Sequence, residues 1–316
     1  MDPEKHLHFL NEAKDLPGIS NLIELCFADT MDEDGRAYIR FLRRTAWELA
    51  NPSLVNSFRP SHRRILGYVW EEDKAIVGNL SLIPCHKEGK PVILVANVAV
   101  HPDYRRRGIA RMLTKQALTY CQENQAQAAW LHVRDDNPHA HTLYRSLGFV
   151  DHETRTTWTS NQPRSDTLYW PEGVKAVRRR SRDWPIQEAW LEKAYPLSVR
   201  WNLPLVISQQ KPGFWHWLGE IYQNYYRNHW ELLHRDEPVG FLTREIGVTQ
   251  DENLYIVSAP GWEDAVVRTL VPACVHRFPP THTMSVNVPA GFGEAAFPAV
   301  GFIKRNTLIW MEAEIG

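Results

Sequence analysis

Behind Asp15-Leu16-Pro17, apolar residues recur at helical spacing as Ile19, Leu22, Ile23, Leu25 and Cys26. Asp15 suits a helix cap there and Pro17 a first turn. Residues 5–16 alternate as a short strand, and residues 31–50 read as further helix. Ile65–Trp70 and Ile76–Ile83 flank the charged turn Glu71-Glu72-Asp73-Lys74, which predicts a hairpin. Val92–Val100 (VILVANVAV) is a nearly continuous apolar, largely β-branched run, as in a strand buried on both faces, and His101-Pro102 ends it. Gly108 to Cys121 is helical, with Ile109, Met112, Leu113, Ala117 and Tyr120 on one face. Ala129–Val133 is another strand, Asn137-Pro138 opens a short helix that Gly148 closes, and Phe149–Trp158 resumes strand. The order β-α-α-β-β-β-α-β-α-β makes a complete mixed α/β domain.

Residues 160–182 are polar and carry Pro163, Pro171, Gly173 and the run Arg178-Arg179-Arg180. Such a run reads as a solvated strand edge or linker, with a binding patch as the other reading. Beyond it the first pattern returns in outline. Asp183-Trp184-Pro185 opens a helix as Asp15-Leu16-Pro17 does, and Asp236–Gly240 leads a strand as Asp73–Gly78 does. Tyr255–Pro260 echoes Val98–Pro102, and Val300-Gly301-Phe302 echoes Leu147-Gly148-Phe149. The offsets shrink from 168 to 153 residues, as trimmed loops would make them. Two copies of one fold follow, residues 1–160 and 161–316.

Composition narrows the function classes. At 316 residues the chain suits two domains, and 43% hydrophobic with 23% charged residues excludes disordered and collagen-like chains. A net charge of −1 argues against a nucleic-acid partner held by bulk electrostatics. No apolar run nears the ~20 residues of a membrane span. The charged start MDPEKHLHFL does not resemble an export signal, so a cytoplasmic location is expected. Cys26, Cys85, Cys121 and Cys274 stand far apart, which fits reduced thiols better than a disulfide framework or zinc site. Of thirteen tryptophans, ten lie beyond residue 150. A cluster such as Phe214-Trp215-His216-Trp217 reads as interdomain core, as acceptor-cleft lining or as a partner surface.

The stretch Val98 to Arg111 carries candidate chemistry. A buried strand ends, and a basic loop with one glycine leads into a helix N-terminus, whose free N–H groups and dipole form an anion site. Gly108 lets the backbone approach a bulky anion, Ala110 keeps the first turn uncrowded, and Arg105, Arg106, Arg107 and Arg111 add charge. The ligand implied is a phosphate or pyrophosphate; an exposed basic loop is the plain alternative.

Arg105-x-x-Gly108-x-Ala110 resembles the R/Q-x-x-G-x-G/A pyrophosphate loop of the GNAT acyltransferase superfamily. Asn137-Pro-His-Ala-His-Thr-Leu-Tyr144-Arg-Ser-Leu-Gly-Phe149 resembles the family's second signature, N-x-x-A-x-x-L-Y-x-x-x-G-F. The likeness covers roughly residues 5–158. It implies two tandem GNAT-like domains, each a mixed, mostly antiparallel sheet flanked by helices, with acetyl-CoA or another acyl-CoA as co-substrate. On that resemblance the Arg105–Ala110 backbone, with Ile109 and Arg111 beside it, would hold the pyrophosphate. Val98, Ala99 and Val100 would pair with the pantetheine arm, and Asn137 would lie near it. Tyr144 would be the general acid for the departing thiolate, a role a phenol of pKa ~10 suits.

The base is less legible. Family members often place a glutamate on the fourth strand, but Val92–Val100 offers only Asn97 as a polar side chain. His132, Asp135, His86, the chain's C-terminal carboxylate or a backbone carbonyl reached through water are the substitutes. His139 and His141, two apart on a helix, do not share a face as metal ligands would need, and no metal is expected.

The second copy lacks the arginine loop. Glu263 and Asp264 stand at its helix start and would repel a pyrophosphate, and Phe297 is nearest to the place of Tyr144. The resemblance therefore implies an N-acetyltransferase whose amine acceptor, small molecule or peptide, attacks directly in a ternary complex, since no cysteine falls in either motif. Its rivals are a non-catalytic acyl-CoA sensor and a peptide- or protein-binding scaffold. A homodimer is left open.

Overall fold

A computed structural model describes residues 5–29, 31, 33–51, 64–164, 171–213, 226–246 and 252–315. Trp170 and the Phe214-Trp215-His216-Trp217 cluster lie outside the described residues.

The first half runs β1 (Leu7–Phe9), α1 (Glu12–Phe27), α2 (Glu33–Ala50), β2 (Leu66–Glu72), β3 (Ala75–Lys87), β4 (Lys90–Val100), α3 (Ile109–Glu123), β5 (Ala128–Arg134), α4 (Pro138–Arg145) and β6 (Val150–Ser160). This is the order the sequence predicts. The second half runs β7 (Val174–Arg178), α5 (Trp184–Ala194), α6 (Leu197–Arg200), β8 (Tyr226–His234), β9 (Glu237–Ile246), β10 (Glu252–Ser258), α7 (Glu263–Arg277), β11 (Met284–Pro289), α8 (Ala296–Ala299) and β12 (Ile303–Glu314). None of the described helices is long and apolar enough to cross a membrane.

Two compact units form, and they do not follow chain order. The first takes Met1–Val133, Asn137–Asp151 and Met311–Gly316; the second takes Arg134–Asp136 and His152–Trp310. Most of β6 thus counts with the second unit, and the last residues of β12 with the first, where a boundary at residue 160 is expected. The hydrophobic pattern of a strand does not say which copy of a repeated sheet receives it, so the sequence is silent here.

In the first unit the strand order is β1-β2-β3-β4-β5, antiparallel except for the parallel pair β4/β5. That ladder matches Val92–Val95 to Ala128–Leu131 and stops, so the two strands part beyond Val95 and Leu131. In the second unit the parallel pair β10/β11 matches Glu252–Leu254 to Met284–Val286 and likewise stops. The repeat extends to packing. A Cβ on Gly78 would lie 2.8 Å from Ile109 Cγ2 at the start of α3, and one on Gly240 would collide with Val266 of α7. In each copy a strand glycine lets the helix after the splayed strand approach the sheet.

Some local expectations shift. α1 starts three residues before Asp15, because the Asn11 side chain caps it by accepting from the N–H groups of Ala13 and Lys14. Asp15 sits inside the helix, its carboxylate accepting from the Asn11 N–H (2.8 Å). Leu25, placed on the apolar face, is 50% exposed. The described tryptophans of the second unit go to packing: Trp158 stacks on Phe297 (5.1 Å), and Trp184 and Trp190 join a core with Phe241 and Tyr255.

Candidate active site

The first unit carries both motifs, the first after the end of β4 and the second on α4. β4 carries a bulge: Asn79 pairs with Ala99 and Ser81 with Ala96, so Asn97 and Val98 stand opposite Leu80 alone. Asn97 takes a left-handed conformation (φ 51°), which asparagine tolerates better than most residues. Two side chains of β3 hold it. The Asn79 Nδ2 donates to the Asn97 carbonyl (3.0 Å), and the Asn97 Nδ2 donates to the Ser81 hydroxyl (3.2 Å). The bulge begins two residues past the last β4/β5 pair, at the mouth of the gap.

After Val100 a single 3-10 turn, Pro102–Tyr104, leads to Arg105–Gly108. Gly108 has φ +83°, and nothing lies within 4 Å of where its Cβ would stand. Only glycine takes that conformation without strain, and the open space leaves the first turn of α3 accessible. The four arginines differ. Arg105 donates to the Val100 carbonyl (3.2 Å), Arg107 to the Asp103 carbonyl (3.2 Å), and Arg111 to the Ser146 hydroxyl (2.6 Å). Arg106 is exposed, has φ +65°, and makes no side-chain hydrogen bond or ion pair among the described residues. Ile109 is buried against Gly78, and Ala110 is half-buried.

Asn137 caps α4, its side-chain oxygen accepting from the Ala140 N–H (3.1 Å). On α4 the buried residue is Tyr144 (7% exposed), while the neighbouring Leu143 and Leu147 are half-buried. Its ring packs at an angle on Phe149 (5.9 Å), and burial pushes its hydroxyl up to about 12. His141 bonds to Asp151 (2.9 Å) beside Arg145, whereas His139 is exposed.

The base candidates scatter. His132 on β5 is one residue past the last β4 pair, and burial pushes it down to about 4, so it stays neutral near pH 7. His86 pairs with Pro91, six residues and about 20 Å along β4 from Asn97. Asp135 is exposed and counts with the second unit, and the C-terminal Gly316 lies outside the described residues. Among the described residues no group of three His, Cys, Asp or Glu side chains is arranged to hold a metal.

The second unit repeats the local geometry with other side chains. Gly261 also has φ +83°, but Glu263 and Asp264 form the first turn of α7. The Phe297 and Phe302 rings pack at 5.8 Å and 58°, as Tyr144 and Phe149 do at 5.9 Å and 63°. The ring at the Tyr144 position therefore carries no hydroxyl.

Residues 27–149 match the model of the family described as Acetyltransferase (GNAT) family. That segment is of the GNAT family, and the chain has a GNAT fold. A GCN5-related N-acetyltransferase from Sphaerobacter thermophilus matches 98% of this chain and 95% of its own, with a TM-score of 0.54 and 14% identity. Over 62 residues, 20% of this chain, the sequence is 39% identical to "[Ribosomal protein bS18]-alanine N-acetyltransferase" of Salmonella typhimurium. The protein of the same name from Escherichia coli K12 is 37% identical over 62 residues. The match spans 42% of those relatives' own length.

Proposed function

We propose that the chain is an acyl-CoA-dependent N-acetyltransferase whose working site lies in the first unit. The observation that carries this is one set of features in the first unit: the open Gly108 turn after β4, the gap between β4 and β5, and a buried Tyr144 on the helix after β5, which the Arg111–Ser146 hydrogen bond ties to the start of α3. These residues fit an acyl-CoA. The exposed loop and the first N–H groups of α3 suit a pyrophosphate, and Arg106 has no side-chain partner among the described residues to give up in meeting it. The edge of β4 beyond Val95, through Val98, Ala99 and Val100, suits an extended amide-bearing arm.

When bound, acyl-CoA supplies a thioester whose acyl group passes to a nitrogen, an N–C bond replacing the C–S bond. Tyr144 holds a proton for the departing sulfur, and its burial keeps that proton in place through neutral pH. A covalent intermediate on Cys26, Cys121 or Cys274 is disfavoured. Burial pushes the Cys26 thiol up, Cys121 up to about 12 and Cys274 up to about 11, the reverse of an activated nucleophile. The relatives' printed name, which sets the acetyl group on an alanine, supports nitrogen as the acceptor atom.

The second unit, with carboxylates at its helix start and Phe297 in place of the tyrosine, is read as a copy without a CoA site. The absence of a carboxylate on β4 favours one rival, an acyl-CoA-binding protein without turnover. An acetyl-CoA turnover screen against a panel of amines decides between them. Turnover abolished by Gly108→Glu supports the enzyme; CoA binding with no turnover on any amine supports the rival.

A further inference from the structure

Partway along, β4 changes which of its residues face β5. The Pro91 carbonyl accepts from the Gln127 N–H (2.8 Å), so Pro91 points to the β5 side, and by alternation Ile93 and Val95 do too. A regular strand would continue with Asn97 and Ala99. On the other edge the His101 N–H donates to the Val77 carbonyl of β3 (2.9 Å), and alternation back from it turns Ala99 toward β3. Val98 and Val100 therefore direct their N–H and C=O groups to the β5 side, beyond the last β4/β5 pair. The Val100 carbonyl is taken by Arg105 and by the Cys26 thiol. The extra residue opposite Leu80 makes this exchange.

The exchange depends on one residue in the left-handed region, Asn97 (φ 51°), and on what holds it there. Asn79 is fully buried on β3 and donates from Nδ2 to the Asn97 carbonyl, while its Oδ1 has no hydrogen-bond partner among the described residues. A buried amide whose acceptor is unmet is a net cost to the fold, and an apolar side chain of similar size would avoid it. Backbone strain of the kind seen at Asn97 persists where the surroundings over-determine it. Asn79 supplies that constraint at the carbonyl, and Ser81 supplies it at the side chain by accepting from the Asn97 Nδ2 (3.2 Å).

We propose that Asn79 is a positioning residue for the acyl-CoA arm: through the Asn97 carbonyl it keeps the bulge, and the bulge turns the N–H groups of Val98 and Val100 to the edge along which the arm would lie. The inference rests on the acyl-CoA reading above. Asn79 itself touches no ligand. Its loss lets Asn97 relax toward an extended conformation, and a one-residue slip then turns Ala99 to that edge in place of Val98 and Val100.

Calorimetry with two ligands separates the arm from the anion loop: CoA, and 3′-phospho-ADP, which keeps the pyrophosphate and lacks the arm. Asn79→Ala should weaken CoA about tenfold or more and leave 3′-phospho-ADP within about twofold, as the loss of aligned main-chain hydrogen bonds predicts. Adding Asn97→Gly to that variant should restore CoA affinity to within about threefold of wild type, because glycine takes the left-handed conformation without being held there. Asn79→Ser, too short to reach the carbonyl, serves the same comparison if the alanine variant does not fold. Equal weakening of both ligands, CoA affinity unchanged in the Asn79 variants, or no recovery with Asn97→Gly overturns the inference alone. A wild-type chain that binds neither ligand overturns the reading beneath it.

Discussion

Arg111, in the first turn of α3, donates from Nη2 to the hydroxyl of Ser146 at the C-terminal end of α4, at 2.6 Å. The Ser146 hydroxyl in turn donates to the Leu143 carbonyl (2.6 Å). The helix that begins at the anion loop is thereby tied to the helix that carries Tyr144.

Arg106 and Arg111 should therefore fail in different ways. Arg111→Gln loosens α4 and displaces the Tyr144 hydroxyl, so kcat should fall about 10- to 100-fold while the Kd for CoA moves less than about threefold. Arg106→Asn, which tolerates the positive φ, should raise the Kd for CoA about five- to tenfold and leave kcat near wild type. Calorimetry with CoA and steady-state rates at saturating substrates separate the two. Equal effects of both variants on Kd would sink the assignment of Arg111 to positioning.

Tyr144→Phe removes one hydroxyl from a packed ring and leaves its contact with Phe149 in place. If that hydroxyl is the proton donor, kcat should fall about 10²- to 10⁴-fold, with CoA affinity and melting temperature little changed. The pH profile adds a second check. A tyrosine of ordinary pKa ~10 would be half ionised at pH 10. Because burial pushes Tyr144 up to about 12, wild-type kcat should show no fall up to pH 10. A descending limb near pH 9 that disappears in Tyr144→Phe would contradict the buried assignment.

Much of the site was legible from residue order alone, since the Gly108 turn, the helix after it and the Tyr144 helix all stand on the elements predicted for them. Other features were hidden for physical reasons. Asp15-Leu16-Pro17 mimics a helix start, but Asn11 already caps the helix, and the Asp15 carboxylate binds back to the Asn11 N–H. The burial of Tyr144 could not be read from spacing, because Leu143 and Leu147 are the more apolar neighbours. The Asn79–Asn97 contact joins two strands across a bulge, and an irregular register leaves no trace in an apolar run. Asn97 stands at that bulge as the one polar side chain in Val92–Val100, but a single polar residue in a strand does not by itself predict an irregular register.

His229, in the second unit, gives a stability prediction with a definite sign. Burial, reinforced by the charges of Arg179, Arg227 and Arg178, pushes it down to about 3, and its Nδ1 meets the Thr243 hydroxyl at 3.0 Å. The unfolded chain binds a proton there near pH 6.5 and the folded chain does not until far lower. Stability is thus fully present above pH 6.5 and is lost as pH falls from there toward 3. Urea unfolding followed by tryptophan fluorescence should show a lower midpoint at pH 5 than at pH 7.5. In His229→Gln the difference between the two pH values should shrink, with His132 of the first unit, pushed down to about 4, supplying part of what remains. An unchanged difference in that variant would assign the acid sensitivity elsewhere.

Gly261 keeps the +83° φ of Gly108, so the turn that opens a helix N-terminus exists in both units. What differs is charge. In the first unit arginines surround the helix start; in the second Glu263 and Asp264 occupy it, where they favour the helix dipole and repel a bound anion. With a pyrophosphate as ligand, two carboxylates within the first turn work against every phosphate oxygen, and the backbone geometry alone does not compensate. The chain should accordingly bind one CoA, and Gly108→Glu should abolish all of it. A double substitution, Glu263→Gln with Asp264→Asn, removes the repulsion but adds no arginine, so a second site should stay weaker than the first by at least tenfold. Two equivalent CoA molecules on the wild-type chain, or residual saturable binding in Gly108→Glu, would show that turn geometry and not charge decides which copy works.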